Sequence, residues 1–167
     1  MTVKPDMGYM IDMSAGHRHP DVKHTPALVR ELKRLLEEPA IKAYMDRPYS
    51  VSYSYKIPLT GGSSVSGRIY YIDPDVPVSF RPYILEHERV EKALRDVKGM
   101  KYARAHELAT VAERLKVEAD KRDWDGYKKA IAMPVRSNEK RGQEKLPAGF
   151  DLGPYRESDL MDMVKGE

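Results

Sequence analysis

The chain has 167 residues, of which 41% are hydrophobic and 33% charged, so it can bury the core of one globular domain. Its net charge is only +3 and both signs are interspersed, a balance that does not favour nucleic acid as the partner. The absence of cysteine excludes disulfides, cysteine-ligated zinc and thiol nucleophiles, and no apolar run is long enough for a membrane span or a secretory signal. We therefore expect a soluble protein of the cytoplasm.

The first 24 residues are irregular and carry three histidines, His17, His19 and His24. We interpret residues 1–24 as an N-terminal arm whose histidines are solvated. Three imidazoles this close in sequence could instead form a second metal site, which is the more specific of the two interpretations.

A first helix is predicted from Pro26 to about Met45. Thr25 is a good N-cap, and Pro26 suits the first helical position because its fixed φ fits the helix and no donor is needed there. Leucines then recur at helical spacing, at positions 28, 32, 35 and 36. Pro39 lies inside this stretch, where it should kink or split the helix.

Two strands are predicted next. Serine and lysine alternate with valine, tyrosine and isoleucine over residues 50–57, which is the period of a half-buried strand. Residues 58–64 predict a turn or flexible loop, and they lack the lysine and the following helix of a phosphate-binding loop. Residues 66–73 predict a second strand that ends at Pro74, so the two strands should form an antiparallel hairpin.

Beyond Arg81 the hydrophobic period becomes helical. We predict one helix over residues 82–98, stopped by Gly99, and a second over residues 102–119. A shorter helix is predicted over residues 123–133, with its first residue as the cap and Trp124 and Tyr127 facing inward.

The order of these elements predicts an α+β protein with a small antiparallel sheet packed on a helical layer. We place one domain at residues 25–133. Residues 134–167 are polar and rich in Gly and Pro, and we interpret them as a C-terminal arm or tail.

The helix predicted over residues 82–98 contains the sequence H-E-x-x-E, formed by His87, Glu88 and Glu91. Residues four apart share one face of a helix, so His87 and Glu91 can reach a common point. On a helical wheel both residues fall beside the apolar arc and not on the solvent face. A carboxylate in that position needs a partner, and a metal ion is one such partner.

The next predicted helix carries a matching stripe formed by Tyr102, His106 and Glu113. Three alanines leave this face small, so that another helix can pack closely. If the two stripes face each other, His87, Glu91 and His106 supply two imidazoles and one carboxylate, the ligand set of many catalytic zinc sites. Glu113 would then be a further ligand, or would hold the free imidazole nitrogen of His106.

Two further residues have predicted roles in such a site. Glu88 would be the general base, activating a water molecule that the metal has made acidic. Tyr102 could donate a hydrogen bond to a tetrahedral oxyanion, or could simply pack in the core.

The arrangement resembles zincin-type metallopeptidases, in which H-E-x-x-H on a helix binds zinc and its glutamate is the base. In the gluzincin branch a glutamate on a following helix completes the site. Here Glu91 takes the place of the second histidine and His106 stands on the following helix, so the ligand types are exchanged between positions. The string HERVEKAL…Y..AHELATVAE is also similar to small metallopeptidase-like proteins of phages and prophages, over about residues 66–128.

The resemblance implies a zinc peptidase with a minimal zincin-like core, in the cytoplasm of a bacterial host or in a virion. In zincins the edge strand beside the active-site helix aligns an extended peptide by main-chain hydrogen bonds, the mode called β-augmentation. The resemblance implies this role for the strand predicted over residues 66–73, which would form a sheet edge beside the helix of His87.

The same residues allow less specific interpretations. H-E-x-x-E occurs by chance in glutamate-rich helices, so the motif can be a charged helix face. His106 can be an interface histidine bonded to a carboxylate, and Glu113 a salt-bridge residue. The second class of function is a non-catalytic virion or interaction protein that keeps the scaffold. Such a protein would bind protein partners, or join a larger complex, through its terminal arms.

Overall fold

The computed structural model describes residues 24–141 and 146–158, which form six α-helices, a short 3₁₀ helix and a three-stranded sheet. The helices are α1 Pro26–Leu36, α2 Pro39–Met45, α3 Arg81–Lys98, α4 Tyr102–Ala119, α5 Trp124–Arg141 and α6 Gly153–Glu157. The strands are β1 Ser50–Ser52, β2 Gly61–Ser63 and β3 Ile69–Ile72, and the 3₁₀ helix Val78–Phe80 leads into α3. The predicted α+β class is confirmed. His17 and His19 lie outside the described residues.

Pro39 splits the first predicted helix in two. The hydroxyl of Thr25 caps α1 by accepting a hydrogen bond from a backbone N–H of the first turn, at 3.2 Å. Glu38 has extended geometry, as residues before proline prefer, and Pro39 then begins α2. The bend lets both helices lay apolar side chains on the core that they share with α3 and α4.

The sheet is mixed and not antiparallel. Its strand order is β1-β3-β2, with β1 parallel and β2 antiparallel to β3. The strand predicted over residues 66–73 is therefore central and paired on both sides. The predicted hairpin, the predicted sheet edge at this strand and the peptide-aligning role predicted for it are wrong. A parallel pair needs a crossing connection, and here that connection itself contributes β2.

The first predicted strand is shorter than its alternating pattern. The Oγ of Ser52 accepts a hydrogen bond from the backbone N–H of Ser54 at 3.3 Å, which closes a local turn in place of a sheet bond. Tyr53 and Tyr55 are each 39% exposed, and the ring of Tyr53 lies beneath the guanidinium of Arg81. The alternation therefore marks aromatic rings on the surface and not a long strand.

Two glycines let β2 lie between α3 and the ring of Phe150. A Cβ on Gly61 would lie 2.8 Å from Cγ2 of Ile84 and 2.9 Å from a carboxylate oxygen of Glu88. A Cβ on Gly62 would overlap the ring of Phe150. Only glycine allows these approaches, so the glycine pair marks close packing. The turn or flexible loop predicted over residues 58–64 is a turn at residues 58–60, and the strand β2 follows it.

Helices α3 and α4 pack against each other and form the main helical layer. Gly99 ends α3 with a φ of +66°, the left-handed geometry that glycine adopts readily. Asp123 accepts a hydrogen bond from the N–H of Gly126 at 2.7 Å, and Trp124 and Tyr127 face inward, as predicted. Helix α5 extends to Arg141, past its predicted end.

Residues 146–158, which we call the C-terminal segment, pack on the body of the protein. Leu146, Phe150 and Tyr155 are buried and close a small core with residues of the sheet. This part of the predicted arm is therefore integrated into the fold. Among the described helices, none combines the length and the apolar character that crossing a membrane requires.

Candidate metal centre

The stripes predicted on α3 and α4 face each other at the centre of the helical layer. His87, Glu91 and His106 are 3%, 5% and 0% exposed. The alanines at positions 105 and 109 are buried, which lets the helices approach closely. The structure thus brings together the three residues that the sequence predicts as ligands.

One polar atom from each of these side chains points at the same place. Nε2 of His87 lies 3.1 Å from Nδ1 of His106 and 3.4 Å from Oε2 of Glu91. Nδ1 of His106 lies 3.0 Å from the same oxygen of Glu91. This buried group of three ligand atoms could hold a metal ion.

The dimensions of this triangle suit a small divalent metal. Tetrahedral coordination with bonds of about 2.0–2.1 Å places neighbouring ligand atoms about 3.3 Å apart. In the metal-free protein, shared protons account for the same contacts, since an Nδ1–H of His106 would donate to Glu91. The donor set and its dimensions therefore fit a metal with three protein ligands and one open position.

Glu113 holds His87. The Nδ1–H of His87 donates to Oε1 of Glu113 at 2.9 Å, and the hydroxyl of Tyr127 donates to Oε2. With its proton on Nδ1, neutral His87 presents a lone pair on Nε2, the atom in the triangle. We predicted Glu113 as a ligand or as the acceptor for His106. The axial register of α3 and α4 places it outside the group of converging atoms and on the other imidazole.

Burial and hydrogen bonding act in opposite directions on this cluster. Burial lowers the pKa of His87, but the hydrogen bonds with Glu113 and Glu91 outweigh it and raise this pKa to about 10. Burial raises the pKa of Glu91, but the hydrogen bonds with His106 and His87 outweigh it and lower this pKa below its ordinary value. Two carboxylates thus surround two imidazoles, an arrangement that attracts a cation, either a proton or a metal ion.

Tyr102 reaches the same centre from the first turn of α4. Its ring is buried, and its hydroxyl lies 3.2 Å from Nδ1 of His106. The residue therefore packs in the core and also places a hydroxyl beside a candidate ligand atom, so the two predicted roles are compatible.

Glu88 and the three ligand residues line one pocket. Glu88 is half-buried, and its carboxylate lies against Gly61 of β2. The pocket has room for about one water molecule. The wall opposite Glu88's helix is formed by β2 and by the C-terminal segment.

Three further charged residues line the pocket, and none of them was predicted from the sequence as a site residue. Nζ of Lys92 and Nη1 of Arg95 both donate to Oδ2 of Asp151, at 2.7 Å and 3.0 Å. A signal for the two cations exists, because Glu88, Lys92 and Arg95 recur at i, i+4 and i+7 beside the motif. The position of Asp151 depends on the tertiary fold and has no local signal.

His24 lies at a different site. It lines a small surface pocket with Arg114 and Trp124. Burial lowers its pKa, and the charge of Arg114 lowers it further. In the described part of the chain, His24 does not belong to the group that could hold a metal.

Comparisons with known proteins do not assign a family. A scan against protein-family models and searches of curated proteins and of solved structures found no match to this chain. The zincin resemblance therefore stays a prediction from the motif, and the function has to be inferred from the geometry of the site.

Proposed function

We propose that this protein is a zinc-dependent peptidase in which His87, Glu91 and His106 bind the metal and Glu88 is the general base. The observation that carries the proposal is the triangle of ligand atoms, with sides of 3.0, 3.1 and 3.4 Å, in a pocket that Glu88 also lines. A buried histidine pair with a purely structural role would not require a further carboxylate on the same pocket wall.

Zinc is the metal that this ligand set favours. Two imidazole nitrogens with one carboxylate oxygen suit zinc, whereas magnesium and calcium prefer oxygen ligands in larger number. Zinc held by three protein ligands is a Lewis acid that acidifies water and polarises a carbonyl.

The protein's own residues supply the remaining functions of a hydrolase. Glu88 follows His87 directly, so its side chain projects about 100° away around α3, beside the ligand set and not within it. From there it would accept the proton of the attacking water. The hydroxyl of Tyr102 would donate to the oxyanion that forms on the substrate carbonyl. Glu113 fixes the tautomer of His87.

A peptide is the substrate class that the surroundings of the site favour. Strand β2 is one of the two edge strands of the sheet and packs against α3 beside Glu88. An extended peptide can add to such an edge through main-chain hydrogen bonds. The edge strand that serves this purpose is thus β2, in place of the strand first predicted.

A non-catalytic interaction protein is the second candidate. It is favoured by the C-terminal segment, which pairs with residues 63–65 at the end of β2 and leaves room for about one water molecule in the pocket. Such a protein would keep the zincin-like scaffold and bind partner proteins. For both candidates we propose the bacterial cytoplasm or a phage particle as the place of action, in line with the resemblance to phage proteins.

Metal content and peptide cleavage of matched variants test the proposal. Protein purified without a histidine tag should contain zinc, His106→Ala should lose it, and Glu88→Gln should retain it. On a peptide library, Glu88→Gln should lose about 10²–10⁴-fold of the turnover, because glutamine keeps the size of glutamate but cannot accept the proton. Glu86→Gln on the same helix is the control and should keep both properties.

The outcomes separate the two candidates. A wild-type protein without metal would contradict the metal site. Bound metal without any cleavage would favour the interaction protein. Cleavage that survives both a chelator and Glu88→Gln would show that the activity resides elsewhere.

A further inference from the structure

The C-terminal segment places a carboxylate in the pocket of the proposed metal site. Asp151 is buried, and its Oδ2 accepts hydrogen bonds from Lys92 at 2.7 Å and from Arg95 at 3.0 Å. Its Oδ1 accepts a hydrogen bond from the backbone N–H of Gly153 at 2.9 Å. Both carboxylate oxygens are thus held, and the two cations come from the helix that also carries two of the proposed ligands.

The backbone around Asp151 pairs with the edge of the sheet. The N–H of Asp151 donates to the carbonyl of Ser63, and the N–H of Val65 donates to the carbonyl of Gly149, both at 2.8 Å. Ser64 and Phe150 form an antiparallel bridge between these bonds. Residues 149–151 therefore pair with residues 63–65, at the C-terminal end of β2, in the way that an extended peptide ligand adds to a sheet edge.

Lys92 is built for a carboxylate partner. Its side chain is 4% exposed, and a buried ammonium is costly unless an anion accompanies it. Asp96 on the same helix lies 3.4 Å from Nζ, farther than Asp151. Arg95 adds a second cation at the same oxygen of Asp151, so the helix presents a preformed site for an acidic group.

The C-terminal segment and a peptide substrate would compete for the same pocket. With the segment bound, the pocket holds about one water molecule, which is too little for a peptide. A peptide that added to β2 and continued to Val65 would need the hydrogen bonds that Asp151 and Gly149 now make with Ser63 and Val65. A ligand that displaces the segment also has to replace the carboxylate that Lys92 and Arg95 hold.

We propose that Lys92 and Arg95 form a binding subsite for an acidic side chain of an extended peptide, and that Asp151 fills this subsite in cis as a pseudo-substrate. The inference rests on the proposed function in taking a peptide as the ligand of the site. The C-terminal segment then blocks the pocket until a peptide or protein segment with a suitably placed Asp or Glu displaces it.

Peptide binding to the full-length chain tests the subsite. The probe is a labelled synthetic peptide that copies residues 147–155, compared with the same peptide carrying Asn in place of Asp. The Asp151→Asn chain should bind the acidic form at least about tenfold more tightly than the amide form, a difference that corresponds to about 1.4 kcal/mol. Adding Lys92→Gln should remove this preference. Equal binding of the two peptides by Asp151→Asn, or binding of neither, would overturn the proposal.

Amide hydrogen exchange gives a second readout that needs no variant to fold. A saturating excess of the acidic peptide should accelerate exchange of the Asp151 amide in the wild-type chain, and the amide form should not. Asp96→Asn, measured without peptide, is the matched control, since Asp96 also faces Lys92 but lies outside the segment. This substitution alone should leave the Asp151 amide protected. Exchange that the acidic peptide does not change would overturn the displacement. Neither readout depends on turnover, so failure here is distinct from failure of the proposed peptidase.

Discussion

His87 is the residue on which the geometry of the candidate metal centre depends most. Its ring nitrogens have separate partners, with Nδ1 bonded to Glu113 and Nε2 directed at Glu91 and His106. A carboxylate on one nitrogen fixes the tautomer and makes the other nitrogen more basic. Tyr127 donates to the same carboxylate, and burial together with the nearby charge of Glu113 raises the pKa of this phenol. Glu113 of α4 and Tyr127 of α5 thus position the imidazole ring of His87 on α3.

We predict that Glu113→Gln weakens zinc binding by about 10–100-fold, the usual effect of losing the partner of a ligating histidine. The amide is a weaker acceptor than the carboxylate and can present its NH₂ group to the N–H of His87. A competitive titration with a chromogenic chelator measures the change. Glu118→Gln, at an exposed position of the same helix, should leave the affinity unchanged. Equal affinities for the two variants would show that Glu113 does not hold the ligand.

The sequence allows the convergence of the candidate ligands to be predicted better than their surroundings. His87 and Glu91 are four residues apart, and His106 lies on a face of small residues, so helical periodicity alone brings them to facing stripes. Whether Glu113 meets one histidine or the other depends on the axial register of two packed helices. That register is set by the whole core and leaves no local signal.

At the scale of an element, contacts with the rest of the fold determine the structure of residues 58–63, for which the composition predicts only a loop. Leu59 and Thr60 have φ values of +65° and +75°, which residues other than glycine rarely adopt, and both are buried. The N–H of Asp73 donates to the carbonyl of Thr60 at 2.8 Å and joins this turn to the end of β3. Composition predicts a loop here because β2 is a strand only through its pairing with β3, and two glycines and two serines carry no strand pattern of their own.

Gly61→Ala tests the close packing of β2 on α3. The new Cβ would meet the buried side chain of Ile84 and the carboxylate of Glu88, so we expect a loss of about 1–3 kcal/mol in the free energy of unfolding. Urea titration measures this loss. Gly126→Ala in the first turn of α5 is the control, since its Cβ would lie 3.1 Å from Asp123 and alanine favours helix, and the change should stay within about 1 kcal/mol. Similar effects at the two positions would contradict the packing argument.

At the scale of the whole molecule, the C-terminal segment ties separate elements together. Besides the ion pairs of Asp151, a carboxylate oxygen of Glu157 accepts the N–H of Tyr102 at 2.7 Å and so caps α4. The hydroxyl of Tyr155 donates to the carbonyl of Pro58 at 3.0 Å, next to the turn that precedes β2. The polar, Gly- and Pro-rich composition of the C-terminal segment predicts an arm, because contacts between residues so far apart along the chain leave no periodic pattern in the sequence.

The last prediction concerns the pH dependence of this attachment. Burial raises the pKa of Asp151, but the hydrogen bonds from Lys92 and Gly153 outweigh it and lower the pKa below the ordinary value of 3.8. The unfolded chain therefore takes up this proton at a higher pH than the folded chain. The contribution of the carboxylate to the free energy of unfolding is complete well above that ordinary value, and it is lost as the pH falls through the folded-state pKa.

We therefore expect the wild-type chain to be more stable than Asp151→Asn near neutral pH, and the difference to shrink below about pH 4. Urea unfolding of both chains over a series of pH values measures it. Asp125→Asn is the control, because Asp125 is exposed and only loosely paired with Lys128 at 3.8 Å, so its stability should follow that of the wild type. A gap between wild type and Asp151→Asn that stays constant down to about pH 3 would mean that the ionised carboxylate does not anchor the segment. If the gap closes on acidification, the charge of Asp151 holds the C-terminal segment across the pocket, as a pseudo-substrate bound through its carboxylate requires.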